Sequence, residues 1–390
     1  MIRWDESGQA HSARWRSESG SPVPRRVVLA DDTLSADAAY RLACEGTAML
    51  WRGDFQNARQ LLQALTRRID RRPRKHSQSP PAAAMPAGPT THAFNLYRLA
   101  RSQRARTLGM LLLQFDAGHN LPLRRAPDVR RACTEGYGPA PQPYVTSLRE
   151  LLGLIGAHEW RKKGVEIAAL ADPTPQRIHP HYGVYSPLRG EYVELVASVP
   201  LPALLASNSR AFDIGTGTGV LAAVLARRGI EHIVATDLDP RALACARENL
   251  AQLGLAQQVD VVAVDLFPAG RAALIVCNPP WVPARPSSPI ERAVYDPDSR
   301  MLRGFLGALA DHLEAGGEGW LILSDLAEHL GLRSRDELLA WIDKAGLKLL
   351  GRQDVRPTHP KASDDSDPLH AARAAEVTSL WRLAVQGLVP

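Results

Sequence analysis

Ala211-Phe-Asp-Ile-Gly215-Thr-Gly217-Thr-Gly219 and, further along, Asn278-Pro279-Pro280-Trp281 decide how this chain reads. Arg210 to Ile214 is a short apolar run of the kind that forms a buried strand. After Gly219, Val220, Leu221, Val224 and Leu225 recur at helical spacing as far as Gly229, a C-cap residue. A strand that passes through three glycines into a helix N-terminus leaves free backbone N–H groups beside a crevice. Glycine alone lets a ligand come that close to the backbone. The loop therefore predicts a small-molecule site.

The spacing narrows the ligand. A dinucleotide fingerprint needs its third glycine where Val220 stands, and Asp213, two residues before the first glycine, disfavours a pyrophosphate. That carboxylate suits a cationic ligand end instead. The next predicted strand, His232 to Thr236, runs into Asp237, placed to accept from two ribose hydroxyls. Asp239-Pro240 then opens a helix with Asp as N-cap and Pro at N1. A third strand, Val259 to Val264, runs into Asp265, whose side chain can accept from an adenine amino group. Three aspartates at the ends of three successive parallel strands sit where open α/β sheets bind ligands. An amino-acid cation, a ribose and an adenine together describe S-adenosylmethionine.

These motifs resemble the class I S-adenosylmethionine-dependent methyltransferases, in the branch whose fourth strand ends in Asn-Pro-Pro and an aromatic residue. The resemblance covers residues 180–390. It implies an α/β fold with a Rossmann-like seven-stranded sheet in the order 3-2-1-4-5-7-6. It also implies a cofactor site formed by Asp213, Gly215, Thr216, Gly217, Gly219, Asp237, Leu238, Asp265, Leu266 and Asn278. A segment ahead of the first strand folds over the cofactor in this family; Tyr185, Pro187 and Arg189 are its candidates here. Gly183-Val-Tyr-Ser-Pro187 and the sheet motifs look most like the release-factor glutamine methyltransferases. Members of the branch also act on adenine N6 and guanine N2.

Composition bounds the rest. The chain has 390 residues, enough for two domains, with 45% hydrophobic and 23% charged residues, as in an ordinary soluble protein. No apolar run reaches a membrane span, and Met1 to Ala10 lacks a signal-peptide core. Cys44, Cys133, Cys245 and Cys277 form no C-x-x-C pair, which argues against zinc and disulfides and for a reducing cytoplasm. Residues 1–150 hold 23 Lys and Arg against 13 Asp and Glu. A basic front half suits an anionic partner such as RNA or a ribosome, or is simply a well-solvated surface.

Along the chain, residues 1–160 read as a basic, mainly helical α+β domain for substrate recognition, and 161–390 as the methyltransferase domain. Residues 1–30 show no periodicity and read as partly loose. Ser35 to Trp51 and Asp54 to Ile69 read as helices; the second runs into Arg67, Arg68, Arg71, Arg72, Arg74 and Lys75 and a flexible linker near 73–91. Leu108 to Phe115 and Leu121 to Arg125 suggest a hairpin. Ser147-Leu-Arg-Glu150 is a capping box. His92, His119 and His158 are isolated and suit surface or packing roles, and His179-Pro-His181 has no acidic or cysteine partner at metal-ligand spacing. Beyond Trp281, a helix from Ser299 to Leu313 is expected to end at Gly316-Gly317. A strand then runs from Trp320 to Ser324 and a helix from Asp336 to Lys344. Leu347 to Arg356 and Val377 to Val385 read as an antiparallel edge pair with no helix between them.

The expected chemistry is methyl transfer to a planar nitrogen whose lone pair is delocalised. The Asn278 side-chain oxygen and the Pro279 carbonyl can accept from its N–H groups, Pro279 and Pro280 stiffen the backbone, and Trp281 offers a stacking face. A protein glutamine or ribosome-associated acceptor is favoured, with a macromolecular partner such as a translation factor. An rRNA or tRNA base is the alternative. A cofactor-binding module without turnover is the reading from another class; intact Asn278 and Trp281 argue against it.

Overall fold

A computed structural model describes residues 1–70, 91–171, 173–288, 290–357 and 367–387. The described residues fall into two compact units, one holding 1–70 and 95–159, the other 91–94 and 160–387. Arg71, Arg72, Arg74 and Lys75, the linker as far as residue 90, and residues 358–366 lie outside the described residues.

The first unit is organised on a six-stranded sheet where a mainly helical α+β domain with one hairpin was expected, and of that hairpin only the first strand, as Leu111–Phe115, is present. Its six strands are β1 (Ile2–Glu6), β2 (Gln9–Trp15), β3 (Arg26–Ala30), β4 (Thr47–Trp51), β5 (Leu111–Phe115) and β6 (Tyr144–Ser147), in the order β1-β2-β6-β5-β4-β3. Residues 1–30 are thus three strands and not loose chain. β1 and β2 form a hairpin in which Ile2, Trp4 and Ala13 face inward. Most of β2 is exposed, so its sequence carries almost no apolar alternation. The expected helix over Ser35–Trp51 is a helix at Ala36–Cys44 followed by β4. Gly46 turns the chain at φ +78, and all five β4 residues are buried. The expected hairpin at Leu108–Arg125 is absent: Leu108 closes the helix Thr91–Leu108, and β5 pairs with β4 and β6 instead. Only half of the expected capping box forms: Ser147 Oγ accepts from the Glu150 N–H at 3.1 Å ahead of the helix Leu148–Lys163, while the Glu150 carboxylate turns to Ser17, the Glu18 N–H and Tyr137.

The second unit begins with a short antiparallel pair, β7 (Val165–Ile167) and β8 (Gln176–Ile178). Its main sheet comprises β9 (Arg210–Ile214), β10 (His232–Asp237), β11 (Val259–Ala263), β12 (Ala272–Cys277), β13 (Leu313–Ser324), β14 (Leu347–Val355) and β15 (Thr378–Val385). The order is β11-β10-β9-β12-β13-β15-β14, with β9 to β13 parallel and β15 antiparallel to both neighbours. In order of appearance this is 3-2-1-4-5-7-6. Because both faces are covered, these strands read as continuous apolar runs. Phe212, Ile275, Leu321 and Leu323 pack one face against Phe305, Leu309 and Leu338. Ala211, Leu274, Trp320 and Ile322 pack the other against Val193, Val196 and Val224.

Two boundaries differ from expectation. The helix after Trp281 is Arg300–His312, and Gly316-Gly317 lies inside β13 rather than ending that helix. Here the Ala272–Leu274 stretch of β12 shifts register against β13, and a Cβ on Gly317 would lie 2.9 Å from the Ala273 carbonyl oxygen. A short helix, His370–Ala375, also precedes β15 where none was expected.

Gly319 tests this packing. A Cβ there would sit 2.4 Å from Cδ2 of the fully buried Leu309. Gly319→Ala should therefore lower stability by about 1–3 kcal/mol through overpacking, seen as a lower urea midpoint with an unchanged slope.

Candidate active site

Parallel pairing sets the site. Cys277 lies opposite Ile214, and Thr236 pairs with Ile214 from the other side. Asn278, Gly215 and Asp237 therefore leave the sheet side by side along one rim. They line one cavity of about 780 Å³.

The glycine loop needs its glycines. Gly215, Gly217 and Gly219 have φ of +73, +56 and +82, and Gly219 also packs on Ala246, whose Cα would lie 3.2 Å from an added Cβ. Asp213 does not line the cavity. It is buried, and its Oδ2 accepts from Thr216 Oγ1 at 2.6 Å and from the Ala222 N–H at 3.1 Å. It thus ties the end of β9 to the first turn of the helix Val220–Arg227. Burial pushes its carboxyl up to about 6, against the pull of those two donors.

Asp237 does line the cavity. Its Oδ2 accepts from the Gly217 N–H at 3.0 Å and its Oδ1 from the Asp239 N–H at 2.9 Å. These backbone donors fix the carboxylate, whose oxygens can also accept from a pair of hydroxyls. Burial raises its pKa above the ordinary carboxylate value. Leu238, largely exposed, and Leu266 line the same wall. Leu266 adopts φ +59 while its carbonyl accepts from Thr236 Oγ1 at 2.6 Å. Asp265 lines the cavity, is exposed, and pairs with the exposed Arg300 at 3.2 Å.

Asn278, Pro279, Pro280 and Trp281 form the next wall. The Trp281 indole N–H donates to Asn278 Oδ1 at 2.8 Å. This contact fixes which end of the Asn278 amide is the oxygen and uses one of its lone pairs. Val282 then pairs with Tyr295, folding residues 292–297 back over the cavity. At their end the buried Asp296 accepts from the Met301 and Leu302 N–H groups, capping the helix Arg300–His312. No sequence motif marks that return.

The segment before β9 is stapled down by its two histidines. The His179 N–H donates to Asn249 Oδ1 at 2.8 Å, and His181 Nε2 meets Glu248 Oε2 at 2.9 Å. Asn249 in turn donates to the Thr218 carbonyl at 3.0 Å, so one buried amide joins this segment to the glycine loop. Tyr185 and Arg189 line the cavity; Pro187 is buried and does not. Arg189 pairs with Glu376 at 3.1 Å, a buried acid just before β15 that sequence reasoning missed. Among the described residues there is no group of three or more His, Cys, Asp or Glu able to hold a metal. In the first unit, His119 is buried against Tyr144 and the Gly138 carbonyl. No described helix is long and apolar enough to cross a membrane.

The comparisons agree with this geometry. Residues 177–330 match the family described as the methyltransferase small domain. With its strand order 3-2-1-4-5-7-6, the second unit is similar to a class I S-adenosylmethionine-dependent methyltransferase domain. The release factor glutamine methyltransferase of Cereibacter sphaeroides is 41% identical to this chain over 110 residues, 27% of this chain and 36% of that protein. The ribosomal protein L11 methyltransferase of Symbiobacterium thermophilum is 40% identical over 78 residues, 20% of this chain and 26% of that protein. That of Sorangium cellulosum is 28% identical over 214 residues, 51% of this chain and 60% of that protein. The chain therefore spans less than two thirds of the length of each of these relatives.

The cavity would suit S-adenosylmethionine on two local observations: the left-handed glycine cradle and the Asp237 carboxylate that backbone N–H groups hold at its edge. Asp237→Ala should weaken S-adenosylmethionine binding by about 1.5–3 kcal/mol, the worth of hydrogen bonds to a charged group; isothermal titration at pH 7 measures it. Asp213 makes a pH prediction. Its native pKa, about 6, lies above the ordinary value of 3.8, so the native state holds the proton more tightly and stability falls as pH rises through that window. Asp213→Asn removes the ionisation and keeps an acceptor. The variant should match wild type below the window and exceed it above by up to about 3 kcal/mol, measured by urea unfolding across pH.

Proposed function

We propose that this chain transfers a methyl group from S-adenosylmethionine to a planar amide-type nitrogen, with a protein glutamine side chain as the favoured acceptor. The observation that carries this is the placement of Asn278-Pro279-Pro280-Trp281 on the same cavity as the glycine loop and Asp237. Gly215 to Gly219 and Asp237 would hold the cofactor, which supplies an already activated methyl group. What the protein adds is position and a better nucleophile.

An amide nitrogen attacks poorly because its lone pair is shared with the carbonyl. Acceptors set against its N–H hydrogens favour a tetrahedral nitrogen and stabilise the positive charge that grows on attack. The remaining lone pair of Asn278 Oδ1 and the Pro279 carbonyl supply them. Trp281 keeps the Asn278 oxygen from exchanging places with its NH2, so the indole N–H serves orientation while the ring serves stacking. The surplus proton leaves to water after transfer, and no general base is required. The first unit, basic in sequence, is proposed to recognise a macromolecular acceptor, a translation factor or a ribosome-associated protein. Its charge is also the feature that favours the second reading, an rRNA or tRNA base.

Transfer of labelled methyl into fractionated lysate tests the reading. Label in protein supports it, and label confined to RNA replaces it with base methylation. Asn278→Ala should leave cofactor affinity nearly unchanged and lower kcat roughly 10²–10³-fold, as for loss of one transition-state hydrogen bond. Asn278→Asp, which keeps an acceptor, should retain more activity than Ala. Trp281→Phe keeps a ring but frees the Asn278 amide to turn over. It should cost roughly tenfold in kcat, about one hydrogen bond. Equal turnover by Asn278→Ala and wild type would reduce Asn278 to a turn residue.

A further inference from the structure

Arg189 faces the site with two of its three guanidinium nitrogens unspent. It lines the cavity, and its side chain is 22% exposed. Its Nη1 donates to Glu376 Oε1 at 3.1 Å, while Nε and Nη2 have no hydrogen-bond partner among the described residues. Its guanidinium carbon lies 6.0 Å from the centre of the Trp281 ring. Glu376 is 2% exposed and also lines the cavity. Its Oε1 accepts a second hydrogen bond, from Ser324 Oγ at 2.7 Å, and Ser324 Oγ itself accepts from the Leu326 N–H. Glu376 is therefore held from the end of β13, and it holds Arg189.

Position and charge together define what these donors face. Trp281, Ser324 and Glu376 belong to the ends of β12, β13 and β15, on the far side of β9 from the strands that carry Asp237 and Asp265. Arg189 thus belongs to the acceptor half of the cavity. It is also already neutralised by a buried carboxylate, and a second carboxylate, such as that of the cofactor, would come close to Glu376. A neutral group with a carbonyl oxygen faces no such repulsion.

We propose that Arg189, oriented by Glu376, donates to the carbonyl oxygen of the acceptor carboxamide and so turns its nitrogen toward Asn278; this rests on the planar-nitrogen reading above. The two ends of a primary amide are nearly equal in size, and only hydrogen bonding tells them apart. Asn278 offers an acceptor at one end, and Arg189 a donor at the other. A donor on the oxygen strengthens amide resonance and makes the nitrogen a poorer nucleophile. Arg189 therefore acts on binding and orientation, while Asn278 acts on the rate. Glu376 is a positioning residue.

The test compares wild type, Arg189→Ala, Arg189→Lys and Glu376→Gln. N-methylated carboxamides release methylamine on acid hydrolysis, so labelled methylamine from lysate protein counts the proposed product. Titration with S-adenosylhomocysteine and with methylthioadenosine, which lacks the amino-acid end, reports the cofactor half separately. Arg189→Ala should raise the lysate-protein concentration needed for half-maximal rate roughly 10–100-fold, with S-adenosylhomocysteine affinity within about twofold of wild type. Arg189→Lys keeps the pair with Glu376 but loses the planar fork, and should fall between. Glu376→Gln should shift half-saturation in the same direction and by less. If Arg189→Ala weakens S-adenosylhomocysteine but not methylthioadenosine, Arg189 serves the cofactor carboxylate and the proposal is overturned. Unchanged half-saturation overturns it equally, because the Arg189–Glu376 pair is then only a latch. Wild-type label appearing only in RNA bases refutes the carboxamide reading itself, before any variant is compared.

Discussion

The site depends on one buried carboxylate. Asp213 ends a strand inside the sheet, and its Oδ2 takes the Thr216 hydroxyl and the Ala222 N–H together. With those two bonds it sets the glycine loop and the first turn of the following helix against the sheet. Burial makes the ionised group expensive, as the upward shift of its pKa records. The tie therefore carries a stability cost, and the loop it shapes is the one that must meet a ligand. Functional sites are where such costs are kept.

From that tie the rim of the sheet divides the work. The ends of β9, β10 and β11 bring the glycine loop, Asp237 and Asp265 to the cavity, and the ends of β12, β13 and β15 bring Asn278, Trp281 and Glu376. Carboxylates dominate the first group. The second presents neutral acceptors and a charge-compensated Arg–Glu pair. This division suits a cationic cofactor on one side and a neutral planar acceptor on the other. Two buried side chains join the halves to the segment above them: Asn249 reaches His179 and Thr218, and Glu376 reaches Arg189.

The first unit is held by a different means. Tyr137 meets Thr146 and Glu150, and Glu150 also accepts from Ser17 and the Glu18 N–H. Arg16 lies over the Tyr137 ring and donates to the Tyr137 carbonyl. These polar contacts join β2, β6 and two helices across long stretches of sequence. Tyr137 and Thr146 are buried, and these contacts keep their hydroxyls satisfied away from water.

The sequence by itself determined the second unit's class and most of its rim. Its glycines, aspartates and Asn-Pro-Pro-Trp lie at strand ends, where local chain geometry fixes what a residue does. Parallel strands buried on both faces also announce themselves as apolar runs, which made the central strands of that sheet legible. The tertiary structure decided the rest, because the deciding partners are distant in sequence. The strands β1 to β3 carry too little alternation to be seen, since most of β2 is exposed and its stability comes from pairing. Asp213 faces Thr216 and Ala222 rather than the cavity, and the oxygen of Asn278 is shared with Trp281; neither follows from residue type. Glu376 reaches Arg189 across 187 positions, and no local pattern reports a contact that only the closing of the sheet creates.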